Sequence, residues 1–278
     1  MPFTLSHPAA VLPLARRPLV PAALVAGSVA PDVFWFVPRL PGIGLTKTHE
    51  LASVLWLDPL LALVLLAVFQ LGLKRPLLAL APRNLAERLP RHFGWRRPGW
   101  IALSLVLGAA THVGWDAFTH ENDGFAFLRT PLVTGVDVGR LIQLVSTIAG
   151  AGVLAWWLVR WYRTAPTEPA PPSTRHRGPV IAFLAAGTLT GVLAEVLPFL
   201  AHHDPMTDAG VVGNATYLAV TGAGSGFLAA LVLHALAWHA RYRALYTKLP
   251  LNHLRKERHL RGEQRAQNQA SPSKHSNG

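Results

Sequence analysis

The sequence contains no cysteine. That excludes a disulfide framework, an iron–sulfur cluster and a thiol nucleophile, and it leaves the redox state of the compartment unreadable. Any metal has to be held by histidine nitrogen and carboxylate oxygen. Charge is scarce as well: Asp, Glu, Lys and Arg make up 14% of the 278 residues, against 51% hydrophobic residues. So few charges cannot clothe the water-facing surface of soluble domains, and the surplus apolar surface calls for a bilayer. Acidic residues are scarcer than basic ones, 14 against 26, which gives a formal charge of +12. Its distribution speaks against a nucleic-acid partner: Lys and Arg stand in short blocks just after apolar runs, and no aromatic-interleaved basic motif accompanies them. The opening Met1-Pro2-Phe3 lacks the basic region of a signal peptide, so none is expected.

Long apolar runs are what the sequence has in place of charge. A spanning helix needs about 20 mostly apolar residues. Runs near 99–119, 138–160, 178–200 and 215–240 qualify, and a fifth covers 51–73. Inside the fifth, Asp58-Pro59 reads as an N-cap followed by the first helical residue, which predicts a helix from Pro59 with 49–57 leading in. The segment 19–37 is apolar but broken by Ala30-Pro31-Asp32. It either spans or re-enters, and the hairpin is favoured: a short helix over 8–15, a turn at Arg16-Arg17-Pro18 and a return over 19–29. The expected fold class is all-α, a polytopic helical membrane protein with about five or six transmembrane helices.

Basic residues set the expected orientation. Segments 74–98, 160–178 and the tail from 241 together hold 20 of the 26 Lys and Arg, and they lie on alternate connections. They share one side, read as cytoplasmic, so 38–50, 120–137 and 201–214 face outward and the C-terminus lies inside. The location implied is a bacterial inner membrane. The Pro-rich stretch 164–178 reads as an extended linker between an N-terminal block, 1–163, and a C-terminal helix pair, 179–240. Residues 241–278 read as a basic, disordered tail. Seven of the nine Trp residues (Trp35, Trp56, Trp95, Trp100, Trp156, Trp157 and Trp161) fall near predicted span ends, as an aromatic belt does. Gly222, Gly224 and Gly226 follow no strand and read as close-packing residues.

The chemistry-bearing stretch is Thr111-His112-Val113-Gly114-Trp115-Asp116-Ala117-Phe118-Thr119-His120. Residues four apart share a helix face, so His112, Asp116 and His120 form one polar stripe at the end of an apolar span. Ionisable groups there line a cavity, pair, or bind something. Imidazole with carboxylate is a ligand set for zinc, manganese or iron, and a hydrogen-bonded structural cluster is the rival reading. Asp32, in Gly27-Ser28-Val29-Ala30-Pro31-Asp32, and His49, after Thr48, are predicted at the same membrane edge. His7 joins them if the hairpin forms. Glu195, inside a span, reads equally as a proton relay, a ligand or an interhelical hydrogen bond. His202-His203-Asp204 reads as a solvated loop, and His234 and His239 as interfacial residues.

These residues, with Pro2-Phe3-Thr4-Leu5-Ser6-His7-Pro8-Ala9-Ala10, Gln143 and Ser146-Thr147, resemble the bacterial domain of unknown function 4184 family. The resemblance covers about 2–160 and implies membrane residence. More distantly, the order His, Pro-Asp, Thr-His, His-x-x-x-Asp is similar to that of the membrane-bound metal-dependent hydrolases regulated by LexA and of the zinc-dependent phospholipases C. That likeness implies metal-ligand roles for His7, Asp32, His49, His112 and Asp116, with His120 corresponding more loosely. The phospholipases carry a further downstream His-x-x-x-Glu pair, which this sequence lacks. The expected activity is hydrolysis of a lipid or other phosphoester at the membrane interface with a divalent metal, zinc foremost, and with Glu50 or Asp123 as general base. The alternatives are a non-catalytic protein whose polar cluster is structural and a proton-coupled carrier using Glu195.

Overall fold

The computed structural model describes residues 4–37, 44–90, 93–119, 126–133, 136–168, 177–203 and 210–248, with side chains described as far as 241. The helices are α1 (Pro8–Val11), α2 (Pro21–Val29), α3 (Leu45–Thr48), α4 (Leu57–Ala67), α5 (Lys74–Leu80), α6 (Arg83–Ala86), α7 (Pro98–Thr119), α8 (Val138–Thr164), α9 (Arg177–Leu200) and α10 (Val211–Lys248). The one pairing of strands among the described residues is a minimal antiparallel ribbon of β1 (Pro131–Val133) and β2 (Val136–Asp137). By contacts the chain forms two units, Met1–His234 and Ala235–Gly278. Helices α1 to α9 and the greater part of α10 fall in the first.

Five helices among the described residues are long and apolar enough to cross a membrane: Leu57–Leu80, Pro98–Phe118, Val138–Thr164, Arg177–Leu200 and Val211–Arg241. Their lipid-ready surfaces are plain on α8, where Leu144, Ile148, Trp156 and Leu158 all stand exposed. The first of the five joins α4 to α5 through a widened π turn over Val68–Leu73. Pro76 explains that turn. A proline ring clashes with the carbonyl four residues earlier, here that of Gly72, and the wider turn moves that carbonyl aside.

Near the N-terminus one sequence expectation is modified, and of the two readings of the run 19–37 the favoured hairpin is the one that forms. The helix predicted from Pro59 begins at Leu57, with Trp56 at the N-cap position and Asp58 inside the first turn. Asp58 does not cap; its Oδ2 is hydrogen-bonded with the Ser53 hydroxyl at 2.7 Å. The apolar run 19–37 does not form a single spanning helix. It divides into α2 and a 3-10 segment, Ala30–Trp35, with Pro31 in its first turn. Nine residues of α2 rise only about 14 Å, half of a hydrocarbon core of about 30 Å. Helix α1 and the turn after it fold back on α2, so residues 8–35 make a hairpin.

The core lies where α2 is wedged between α4 and α7. Ala23, Ala26, Ala30, Ala62, Leu66, Ile101 and Leu105 are buried together there. Small residues let the backbones touch: a methyl on Gly27 would run into the Leu105 carbonyl, and one on Gly108 into the Leu24 carbonyl. Helices α9 and α10 meet in the same manner, Gly187 and Gly191 facing Gly222 and Gly226, a small-xxx-small pairing on both partners. Gly224, by contrast, leaves room for the ring of Phe36.

Candidate metal centre

The Gly27–Gly108 contact positions the site. One turn beyond Gly108 on α7 stands His112, fully buried, and one turn further Asp116, 3% exposed. With α2 this close, His112 Nδ1 reaches the carbonyl of Ser28 at 2.7 Å. Pro31, three residues after Ser28, has no N–H to offer that carbonyl in the 3-10 turn, and the imidazole supplies a donor. A carbonyl only accepts, so the proton of a neutral His112 sits on Nδ1 and Nε2 presents its lone pair.

Asp32 hangs from the same 3-10 turn. Its Oδ2 accepts from the Thr4 hydroxyl at 2.6 Å, which turns Oδ1 inward. His49 ends α3, where Thr48 Oγ1 donates to the Pro31 carbonyl at 2.8 Å and so ties α3 to the Asp32 turn. His49 Nδ1 bonds the Leu45 carbonyl at 2.8 Å, again leaving Nε2 as the free nitrogen. Both rings thus carry the outer-shell backbone partner that metal-ligating histidines have.

Four atoms now face a common point. His49 Nε2 lies 3.5 Å from Asp32 Oδ1 and 3.3 Å from Asp116 Oδ2. His112 Nε2 lies 3.5 Å from Asp32 Oδ1 and 3.4 Å from Asp116 Oδ2. Zinc bonds N and O at about 2.0–2.2 Å, and a regular tetrahedron of such bonds has edges of about 3.3–3.6 Å. The four His–Asp separations match such edges and all four donor atoms lie within 4.8 Å of one another, so the set could hold a divalent ion. Asp32 Oδ1, His49 Nε2 and His112 Nε2 are buried without a hydrogen-bond partner, which is costly unless something binds them. Among the described residues no other set of three or more such side chains comes this close.

His7 stands beside the group of four. Its ring stacks on His112 with centroids 3.8 Å apart, and its Nε2 lies 3.7 Å from the other carboxylate oxygen of Asp116. Burial, helped by the neighbouring His112, pushes His7 down to about 4, so the ring is neutral at physiological pH. For Asp32 burial acts upward, but the His112 and His49 rings facing Oδ1 and the hydrogen bond from Thr4 outweigh it and hold the carboxyl well below the usual range. Burial acts downward on His49, and the Asp116 and Asp32 carboxylates facing its Nε2 outweigh it, raising the ring to about 10.

Among the described residues the other sequence candidates stay apart from this cluster. His120 and Asp123 lie outside the described residues, as does Asp204. Glu50, weighed as a general base, pairs with Lys47 at 2.9 Å on the surface. Glu195 rests against α10, where a methyl on Gly222 would stand 3.0 Å from its Cγ. His202 and His203 are exposed and fold their Nδ1 atoms back onto the carbonyls of Pro198 and Phe199. Sequence reasoning missed the hydroxyl of Thr4 and the hydrogen bond between Ser53 and Asp58. A carboxylate within the first turn of a span was the available signal for Asp58.

A multi-span helical fold with a buried His/Asp cluster at one end of its core defines a membrane protein built around a polar centre. The chain belongs to the family described as domain of unknown function (DUF4184), whose model matches residues 1–236. All five clustered residues lie inside the matched region. No curated protein and no solved structure matches the chain.

Proposed function

We propose that the protein is a metal-dependent hydrolase of a phosphoester or related ester at the membrane surface, with zinc held by Asp32, His49, His112 and Asp116. The observation that carries the reading is the set of four inward-facing ligand atoms at 3.3–3.5 Å, with both histidines locked by backbone carbonyls. The order of these residues along the chain, similar to that of the LexA-regulated hydrolases and the zinc-dependent phospholipases C, supports it further. When bound, the ion would supply a water of lowered pKa and polarise an ester oxygen. The carboxylates of Asp32 and Asp116 balance a divalent charge, and Thr4 and Ser28 hold Asp32 and His112 in register. His49, whose side chain is 20% exposed, lies on the open side where a substrate enters. His7 is not among the four, and its Nε2 is buried without a hydrogen-bond partner. Neutral and next to Asp116, it orients water or substrate and takes up a proton at Nε2.

One observation favours a second reading. Four protein ligands complete a tetrahedron, as closed structural zinc sites do, and a structural ion would fasten the N-terminal hairpin to α7. His7 separates the two readings. Detergent-purified protein is expected to carry about one zinc per chain, and His7→Gln to retain it. Hydrolysis of a soluble phosphodiester or a short-chain phospholipid falls by about 10²–10⁴-fold in that variant if His7 does acid–base work. Unchanged hydrolysis removes His7 from the chemistry, and none in the loaded wild type leaves only the structural ion. Wild-type protein without metal ends both readings.

The proposed orientation places the cluster at the periplasmic face of an inner membrane, with the basic connections and the C-terminus in the cytoplasm. The absence of native cysteine makes this directly measurable. A cysteine at the exposed Leu51 is expected to react with an impermeant maleimide in cells whose outer membrane is permeabilised, and one at Arg97 only after lysis. The reverse pattern inverts the topology.

A further inference from the structure

Asp58 is fully buried in the first turn of α4 and stands outside the ligand set. Ser53 Oγ lies 2.7 Å from Asp58 Oδ2 and 2.6 Å from the Glu50 carbonyl oxygen. Both separations are ordinary O–H···O hydrogen-bond lengths. A serine hydroxyl has one proton, and a carbonyl has none to give. If Ser53 donated to an ionised Asp58, its oxygen would face the Glu50 carbonyl at 2.6 Å with lone pairs opposed. Both contacts close only when Ser53 donates to Glu50 and Asp58 donates to Ser53.

We infer that Asp58 is a neutral carboxylic acid that works as a positioning residue: through Ser53 it fastens the turn Glu50–Ser53, and with it His49, to the start of α4. The link to metal binding rests on the function proposed above, whereas the hydrogen-bond chain stands without it. Burial points the same way: Asp58 is fully enclosed, and an uncompensated buried charge is strongly unfavourable. Two hydroxyls then flank His49 on opposite sides, Thr48 tying it to the Asp32 turn and Ser53 to α4.

The test compares full-length wild type with Asp58→Asn, Asp58→Ala and Ser53→Ala. Asparagine is neutral and its amide can still donate to Ser53; alanine cannot. Infrared difference spectra of wild type against Asp58→Asn at neutral pH should show a protonated-carboxyl C=O band that shifts in D₂O. Amide hydrogen exchange over 47–53 should rise about tenfold in Asp58→Ala and Ser53→Ala, the loss of about one hydrogen bond, and stay near wild type in Asp58→Asn. Zinc affinity should follow the same order, weakening by about 10–100-fold in the two alanine variants. The inference is overturned if the carboxyl band is absent, or if Asp58→Asn exchanges as fast as Asp58→Ala. Should wild-type protein bind no zinc, the hydrolase reading fails while the infrared and exchange results still decide the state of Asp58.

Discussion

Replacing His112 by alanine is expected to leave the purified protein without its metal, the largest effect of any single side chain. His112 is the most buried of the four donors and touches two of the others, Asp32 and Asp116, through Nε2. Its loss removes a ligand, strands the Ser28 carbonyl, and leaves two adjacent carboxylates with only His49 between them. Loss of an outer-shell partner alone costs about 10–100-fold in metal affinity, and an inner ligand lies well above that range. The check is metal analysis alongside thermal unfolding in detergent, with and without a chelator. An ion present at about 1,000 times its dissociation constant stabilises by about 4 kcal/mol. Chelation should therefore lower the wild-type midpoint sharply and leave His112→Ala unmoved. Full metal occupancy in His112→Ala would remove that residue from the centre.

The second large effect comes from a residue that touches no ligand. Gly108→Val is expected to unseat α2 from α7 and to lose metal as a consequence. A side chain there meets the Leu24 carbonyl and the Ser28 backbone nitrogen, and backbone cannot step aside as a flexible side chain can. Overpacking of this kind costs about 1–3 kcal/mol or more. It also separates the Ser28 carbonyl from His112, so the imidazole loses its anchor. Gly114→Ala on the same helix is the control, since nothing lies within 4 Å of its added methyl and alanine favours helix by about 1 kcal/mol. Gly108→Val with wild-type melting and metal content would show that the close approach does not hold the site.

The spans were legible because lipid selects on composition over about 20 residues, and no tertiary contact is needed to see it. The centre was legible in part for a similarly local reason: His112 and Asp116 share a face by helical periodicity alone, and Pro31-Asp32 marks a turn. What was not legible rests on backbone atoms and on distant partners. The carbonyls of Ser28 and Leu45 orient both imidazoles, and a carbonyl leaves no trace in a sequence. The pairing of Gly27 with Gly108 joins elements far apart in the chain. Asp58 was read as a cap because capping is the local use of an aspartate before proline, and here Ser53 outcompetes it. The π turn before Pro76 depends on how one helix relieves a clash, which hydropathy does not report.

The division of the donors along the chain bears on how the protein is made. His7, Asp32 and His49 leave the ribosome well before α7 exists, so for part of synthesis they have no place to go. The N-terminal hairpin is too short to anchor itself in lipid and can settle only when the second long helix arrives alongside. Completion of the centre thus reports that the first two spans stand side by side, and a chain in which α7 failed to insert could not close it.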